Sequence, residues 1–220
     1  ENIVAIAKKT KSDAIHPGYG FLSENADFAK LCEKKKVTFI GPSSKSIGLM
    51  GNKDEARQQI DILGIPIVAG TEVLHDEHDA LAAAKRIGYP VIIKAVSGGG
   101  GKGMRIVNHS REFAGAFESA QAEAHASFHD DGMYIEKYLG APRHIEFQIL
   151  ADMYGNVIHL GERDCSIQRK HQKLIEESPS PALNDALRKE IGDAALAIAK
   201  SANYEGAGTV EFLLDSKNNY

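Results

Sequence analysis

A glycine-rich stretch between two apolar segments constrains the fold more than any other part of the chain. Residues 88–107 read GYPVIIKAVSGGGGKGMRIV, in which an apolar run ends at Lys94 and four consecutive glycines precede a second apolar run. Short apolar runs bounded by proline and glycine are typical of strands, so residues 91–93 and 104–107 are predicted to form a hairpin. Glycines let backbone N–H groups approach a ligand closely, and a concave row of such groups binds anions. With Lys94 and Lys102 at its two ends, the loop favours phosphate binding.

Two common phosphate-binding patterns do not describe this loop. The P-loop pattern needs Ser or Thr after a Gly-Lys pair, and Met104 does not supply that position. The dinucleotide fingerprint needs a helix after the glycines, whereas a strand is predicted here. A hairpin tip with solvated lysines remains an alternative, because glycines also serve ordinary turns.

Composition excludes several broad functional classes. The chain has 220 residues, a formal net charge of -4 and 43% hydrophobic residues, enough for one large core or two small ones. The mild acidity argues against nucleic acid as a partner, and no apolar run approaches the length of a membrane span. Cys32 and Cys165 form no CxxC pair, so a reducing, cytoplasmic setting is expected. The chain begins without Met or a signal peptide and stops in a turn, so we expect a piece of a longer protein.

The order of predicted elements indicates an α/β (α+β) protein in four segments. Residues 1–50 alternate helix and strand, as at the end of a doubly wound domain whose start is missing. Residues 51–66 form a linker helix and a strand. Residues 67–138 place two helices against a small sheet that carries the glycine loop, an arrangement suited to a lid. Residues 139–220 form an incomplete sheet of longer strands with one amphipathic helix.

Several element boundaries are predicted from capping and alternation. Ser23 is expected to cap a helix through Lys36, and Asn52 a helix that ends near Gly64. Residues 65–68 are expected to form a strand. Strands are also predicted at 133–137, 143–150, 157–164 and 209–214. Ile145, Phe147 and Ile149 share one face of their strand, and the polar side chains between them share the other.

Three further features suggest a site for a nucleotide and a divalent cation. Lys53 lies in the first turn of a helix, where the dipole disfavours a cation unless an anion is close by. Glu211 points away from the core residues of its strand, and its carboxylate is the kind of oxygen ligand that Mg²⁺ takes. Residues 136–139, between the lid and the sheet, could offer backbone groups to a base. Taken singly, each of these features is more often found on an ordinary protein surface than in a binding site.

Seven sequence blocks, in order and at matching spacing, together resemble one family. They are AIHPGYGFLSEN (14–25), PVIIK (90–94), the glycine loop (98–103), EKYL (136–139), PRH (142–144), ERDCSIQRKHQK (162–173) and GTVEF (208–212). They resemble biotin carboxylase, the ATP-grasp component of biotin-dependent carboxylases, most of all the subunit of bacterial acetyl-CoA carboxylase. The resemblance covers essentially the whole chain.

The resemblance implies an ATP-grasp fold preceded by the end of a Rossmann-like domain. It implies ATP- and bicarbonate-dependent carboxylation of biotin through carboxyphosphate, with Mg²⁺ or Mn²⁺, as the first half-reaction of acetyl-CoA carboxylase, an enzyme of fatty acid synthesis. The implied partners are a biotin carboxyl carrier protein and a carboxyltransferase component, with a homodimer when the chain is full length.

The resemblance also assigns roles to individual residues. The expected phosphate ligands are Lys53 and Lys94, with Gly100 and Gly101 closing over the phosphates. The expected adenine contacts are Glu136, Lys137, Tyr138 and Leu139, with Met104, Leu139 and Leu213 lining an apolar slot. The expected further nucleotide contacts are His144, Gln168 and His171. Lys173 would hold bicarbonate and Glu211 would ligate the metal, the two catalytic roles; for Met104, simple core packing remains an alternative.

Three other functions stay open from the sequence. The same module could belong to pyruvate carboxylase or to another acyl-CoA carboxylase. It acts on biotin, so its sequence says little about the final acceptor of the carboxyl group. It could also be another ATP-grasp ligase that joins carbon to nitrogen through an acyl phosphate. A non-catalytic nucleotide-binding module is the third possibility.

We predict that the 220-residue chain is inactive by itself. In the family that it resembles, a further Glu, Asn and Arg follow shortly after the position of Tyr220 and complete the metal and bicarbonate sites. The measurement is ADP release by the isolated chain with ATP, bicarbonate and free biotin. Turnover that depends on bicarbonate and biotin would refute the prediction.

Overall fold

The computed structural model describes residues 1–97, 103–169 and 172–220, except for the side chains of residues 53 and 54. The helices are α1 (Asn2–Thr10), α2 (Ala26–Lys35), α3 (Ser44–Gly51), α4 (Lys53–Ile62), α5 (Glu77–Ile87), α6 (Phe113–Phe128) and α7 (Asp185–Ser201). The strands are β1 (Ala14–Ile15), β2 (Thr38–Phe39), β3 (Val91–Ala95), β4 (Met104–Val107), β5 (Met133–Lys137), β6 (Arg143–Ala151), β7 (Val157–Arg169), β8 (Gln172–Glu177) and β9 (Gly206–Leu214). Among these described residues, no helix is both long enough and apolar enough to span a membrane.

The N-terminal segment forms a small parallel pair, β1 with β2, packed against α1 and α2. The prediction that Ser23 caps α2 is wrong. The residues from Phe21 to Glu24 form a 3₁₀ turn, and the Asn25 side chain accepts a hydrogen bond from the Phe28 amide. Asn is as good a cap as Ser, and the extra turn moves the start of the helix forward.

The lid segment confirms the predicted hairpin. Its sheet has the order β4-β3-β5, and β3 pairs antiparallel with both neighbours. Val91, Ile93 and Ala95 are buried on the face that packs against α5 and α6, where Phe113 and Phe117 fill the core. The alternate residues of β3 therefore point to the other face, and Lys94 is one of them.

The C-terminal segment is an antiparallel sheet of order β8-β7-β6-β9, covered on one face by α7. The predicted alternation of β6 is confirmed, because Ile145, Phe147 and Ile149 are buried. The strand predicted at 157–164 continues to Arg169 and turns back as β8, which the polar composition of residues 164–173 had concealed. Pairing between β7 and β8 satisfies the backbone groups of this mainly polar segment.

Residues 65–68 do not form the predicted strand. Their side chains line an apolar cavity, and ladder pairing with β5 begins just after them, with the Lys137 amide donating to the Ala69 carbonyl at 2.7 Å. The apolar pattern of this segment thus corresponds to the wall of a cavity and not to a place in a sheet. Each of the three sheets lies within one expected segment, while the domain boundaries themselves stay a prediction.

Truncation of Phe147 tests whether β6 and α7 form the core of the C-terminal segment. The ring is fully buried, 5.4 Å from the His159 ring and 6.1 Å from the Phe212 ring between centroids. Phe147→Ala is expected to lower the free energy of unfolding by about 3–5 kcal/mol through the cavity it leaves. Urea unfolding followed by circular dichroism measures the change.

The matched control is Leu160→Ala on β7, whose side chain is 64% exposed. We expect a change of less than about 0.5 kcal/mol there. Equal losses from the two substitutions would contradict the assignment of the core.

Candidate active site

A cavity of about 540 Å³ lies between the linker helix α4, residues 65–68, the lid and the free edge of β9. Its walls are largely apolar, and its polar groups come from opposite sides. Arg57 and Glu136 stand on one side, and Thr209 and Glu211 stand on β9. A concave apolar site with a few convergent charged groups is the usual form of a small-molecule site.

The charges on the lid side centre on Glu136. The Lys94 ammonium lies 2.6 Å from Glu136 Oε2, and Arg57 Nη1 lies 3.8 Å from Glu136 Oε1. Lys94 also lies 5.9 Å from the centre of the Tyr134 ring. Lys94 is thus connected, through its ion pair with Glu136, to a cavity that Glu211 also lines.

The charges on the sheet side centre on Lys173. Its ammonium donates to Glu146 and to Glu211, on two neighbouring strands. Glu146 is almost completely buried, and the Arg163 guanidinium reaches its other oxygen at 2.5 Å. Burial lowers the pKa of Lys173, but the hydrogen bonds to the two carboxylates outweigh it and hold that pKa well above its ordinary value. Burial raises the pKa of Glu146, and the bonds from Lys173 and Arg163 overcome it and bring the pKa below its usual range.

The thiol of Cys165 lies next to this cluster and is excluded as a nucleophile. It is fully buried, and burial together with the charge of Glu146 raises its pKa to about 11. A thiol with such a pKa is protonated at neutral pH, whereas reactive cysteines are thiolates.

Glu211 is a candidate ligand for a divalent cation that phosphate groups would also coordinate. Its side chain is 53% exposed, and Glu211 is one of the residues that line the cavity. In the described part of the chain, the groups of three ligand-type side chains within reach of one ion are Asp76, His78, Asp79 and Glu146, Cys165, Glu176, and Glu211 belongs to neither. Mg²⁺ at phosphate sites is held by one or two carboxylates, while phosphates and water supply the other ligands. One exposed carboxylate is therefore enough as the protein ligand of such an ion.

The residues predicted to hold adenine, 136–139, lie at the end of β5, where the chain passes from the lid to the C-terminal sheet. Leu139, Lys137 and Leu213 line a smaller cavity of about 160 Å³. The Lys137 ammonium donates to the carbonyls of Gly88 and Tyr89, at 2.9 and 3.0 Å, so its side chain ties β5 to the start of β3. The Tyr138 amide donates to the Pro90 carbonyl. These contacts fix the backbone of residues 136–139 between the lid and the sheet.

The remaining predicted residues divide between described and undescribed positions. His144 lies opposite Leu213 in the β6–β9 register, and its amide donates to the Ser166 hydroxyl at 3.1 Å. Gln168 lies opposite Lys173, and its side chain donates to the Cys165 carbonyl. Met104 is half-buried and lies opposite Lys94. Those outside the described residues are Gly100, Gly101, Lys102, His171 and the side chain of Lys53.

Sequence reasoning missed three charged residues that complete the two clusters, Arg57, Glu146 and Arg163. Glu146 carried a signal, because it lies on the polar face of an alternating strand. Arg57 carried a weaker one, since it follows Lys53 by four residues and so lies one turn further along the same helix face.

Comparison with known proteins identifies the fold and the family. Residues 52–220 match the family described as "Carbamoyl-phosphate synthase L chain, ATP binding domain", and residues 1–47 match "Biotin carboxylase, N-terminal domain". The chain thus has the ATP-grasp fold preceded by part of a biotin carboxylase N-terminal domain. It belongs to the biotin carboxylase family.

Individual relatives agree with this assignment. Biotin carboxylase 1 of Bacillus subtilis is 56% identical over 97% of this chain, which spans 48% of that protein. Methylcrotonoyl-CoA carboxylase subunit alpha of Mus musculus is 51% identical over 100% of this chain and 31% of its own length. The biotin carboxylase domain dimer of Hydrogenobacter thermophilus 2-oxoglutarate carboxylase, solved with MgADP, ADP and bicarbonate, superposes with a TM-score of 0.87 at 49% identity, over 99% of this chain and 48% of that one. The chain therefore spans half or less of the length of these relatives.

The charge on Glu146 predicts how acid affects stability. Its folded-state pKa lies below the ordinary 4.5, so it stabilises the fold above that pH and loses the contribution as the pH falls through the lowered value. Glu146→Gln is expected to lower the free energy of unfolding at pH 7. The difference from the unsubstituted chain should shrink steadily below about pH 5.

Urea unfolding of both forms between pH 3 and pH 8 measures this difference. Glu72→Gln is the control, because it removes one exposed carboxylate outside the cluster. A Glu146 effect that stays constant down to pH 3 would mean that its charge contributes nothing to the fold.

Proposed function

We propose that this chain is the nucleotide-binding part of an enzyme that carboxylates biotin on a carrier protein, using ATP and bicarbonate. The observation that carries the proposal is that Glu136 and Glu211 line one cavity and that each of them pairs with a lysine, Glu136 with Lys94 and Glu211 with Lys173. The family assignment and the bicarbonate and MgADP in the Hydrogenobacter structure support the same substrates.

In this proposal, bicarbonate attacks the γ-phosphate of ATP and gives carboxyphosphate and ADP. Carboxyphosphate then breaks down to CO₂ and inorganic phosphate, and the ureido nitrogen of biotin, after losing its proton to a base, captures the CO₂. Such phosphoryl transfer depends on positioning and on neutralising charge, which lysines on both sides of a cleft provide. Lys53, Lys94, Gly100 and Gly101 would surround the phosphates.

The residues of the sheet side have separate parts in this reaction. Lys173 stays charged because Glu146 and Glu211 bind its ammonium, and a fixed cation there would hold bicarbonate. Glu211 would be the protein ligand of Mg²⁺ or Mn²⁺, which neutralises phosphate charge when bound. Adenine would lie against residues 136–139 and the apolar side chains of Met104 and Leu213. His144, Gln168 and His171 would complete the contacts with the nucleotide.

The acceptor of the carboxyl group is a finer part of the proposal. We favour acetyl-CoA, hence a cytoplasmic ligase of fatty acid biosynthesis, with a separate carrier protein and a carboxyltransferase component as partners. The identity to biotin carboxylase 1 of Bacillus subtilis supports this reading. The comparable identity to methylcrotonoyl-CoA carboxylase keeps a module of another acyl-CoA carboxylase or of pyruvate carboxylase as the alternative. A homodimer of the whole protein is part of the proposal, in line with the Hydrogenobacter domain dimer.

Substitution of Lys173 tests the proposed function in the whole protein that contains this chain. Lys173→Gln is expected to reduce kcat for bicarbonate-dependent ADP release with free biotin by about 100-fold or more, since it removes a preorganised charge from the reacting groups. Binding of a non-hydrolysable ATP analogue should change much less.

The matched control is Lys189→Gln on α7, an exposed lysine that pairs with Asp193 at 2.6 Å. It should leave kcat unchanged. If the unsubstituted protein releases no ADP in response to bicarbonate, or if Lys173→Gln retains full kcat, the proposed function is wrong.

A further inference from the structure

Arg57 joins three parts of the molecule at the wall of the main cavity. It lies on α4, one turn after Lys53, and its Nη2 donates to the Val68 carbonyl at 2.5 Å. Its Nη1 lies 3.8 Å from Glu136 on the lid strand β5. The side chain is only 30% exposed. Arg57 therefore links the helix, the connecting segment and the lid, and it is a lining residue of the cavity.

The backbone makes room for this contact at Gly70. A Cβ at that position would lie 2.8 Å from Arg57 Nη2 and 3.2 Å from Glu136 Cγ, both closer than ordinary packing allows. Gly70 is also bridged to Glu136 in the antiparallel sense. Any side chain at position 70 would push the guanidinium away from the carboxylate, so the absence of one permits the ion pair.

Glu136 is shared between two cations with different tasks. Lys94 holds Glu136 Oε2 at 2.6 Å, and Arg57 lies near Oε1. The proposed function requires the Lys94 ammonium to turn towards phosphates. Glu136 is 21% exposed, and a carboxylate at such a position loses much of its hydration, so losing its partner is unfavourable unless another cation remains.

We propose that Arg57 is a positioning residue for nucleotide binding, which acts through Glu136. It keeps Glu136 paired when a polyphosphate draws Lys94 away, and so lowers the free-energy cost of that exchange. Without Arg57, Glu136 would hold Lys94 more firmly and the nucleotide would bind less tightly. This inference rests on the proposed function, because it assumes that the cavity takes a nucleotide polyphosphate.

The experiment is a double-substitution cycle in the whole protein that contains this chain. Arg57→Gln is expected to raise the KM for MgATP and to weaken binding of a non-hydrolysable ATP analogue, each about fivefold, with kcat almost unchanged. Arg57→Lys should restore most of the affinity, because it keeps a cation next to Glu136. In the background of Glu136→Gln, the effect of Arg57→Gln should largely disappear.

Two further variants separate this role from a general structural one. Gly70→Ala displaces the guanidinium without removing a charge, and the tip of a long side chain can move at little cost to the fold, so the affinity should fall as in Arg57→Gln. Arg111→Gln is the control, since this exposed lid arginine contacts Glu112 at 3.9 Å and does not line the cavity. It should leave the affinity unchanged.

The outcomes distinguish this inference from the proposed function. If the unsubstituted protein binds the analogue and Arg57→Gln binds it equally well, the inference is overturned and the proposed function stands. An Arg57 effect that persists at full size with Glu136→Gln would mean that Arg57 contacts the nucleotide directly, which also overturns it. If the unsubstituted protein binds no nucleotide, both fail together.

Discussion

The charge on Glu146 is the constraint on which the sheet side of the site depends. This carboxylate is 7% exposed, and an unpaired charge at such a depth would be strongly unfavourable. Lys173 and Arg163 reach it from β8 and β7, so the three strands must keep one register. The same pairing keeps Lys173 charged and directs its ammonium towards Glu211. The register of the three strands and the orientation of Lys173, the proposed bicarbonate ligand, thus both follow from the need to pair the buried charge of Glu146.

The two sides of the cavity use charge differently. On the sheet side, Lys173 lies between two carboxylates and Glu146 between two cations, so the network is closed and its geometry is fixed. On the lid side, Lys94 shares Glu136 with Arg57, whose contact is longer at 3.8 Å. A shared carboxylate with unequal partners can release one of them more readily than a closed network can. This difference suits a lid residue that must exchange its partner for a phosphate.

The elements with strict periodicity could be predicted from the sequence, and those that depend on a neighbour could not. The hairpin around the glycine loop and the buried face of β6 followed from short apolar runs and from alternation. Residues 65–68 are equally apolar, yet they line a cavity, because a short apolar run does not by itself distinguish a strand from a cavity wall. The last part of β7 and the start of β8 carry mainly polar side chains, and the two segments pair as neighbouring strands without the apolar alternation that predicts a strand.

The same distinction applies to the charged residues. Lys94 was selected because it ends an apolar strand before the glycine loop, and Glu211 because it points away from the core residues of its strand. Glu211 lines the cavity, and Lys94 pairs with Glu136, which lines it too. Arg57 and Arg163 are surface-like in the sequence, and their roles arise only when a distant carboxylate is brought within reach.

Glu211 connects the proposed metal site to the proposed bicarbonate site. Its Oε1 accepts the Lys173 ammonium, and the same carboxylate is the candidate ligand of a divalent cation. A cation there and the ammonium would repel each other, and the negative charge of Glu211 would offset part of that repulsion. Lys173 has a second partner in Glu146, so its ammonium stays compensated when a cation shares the Glu211 carboxylate. The buried glutamate thus gives the lysine a fixed position against which metal and bicarbonate can be placed together.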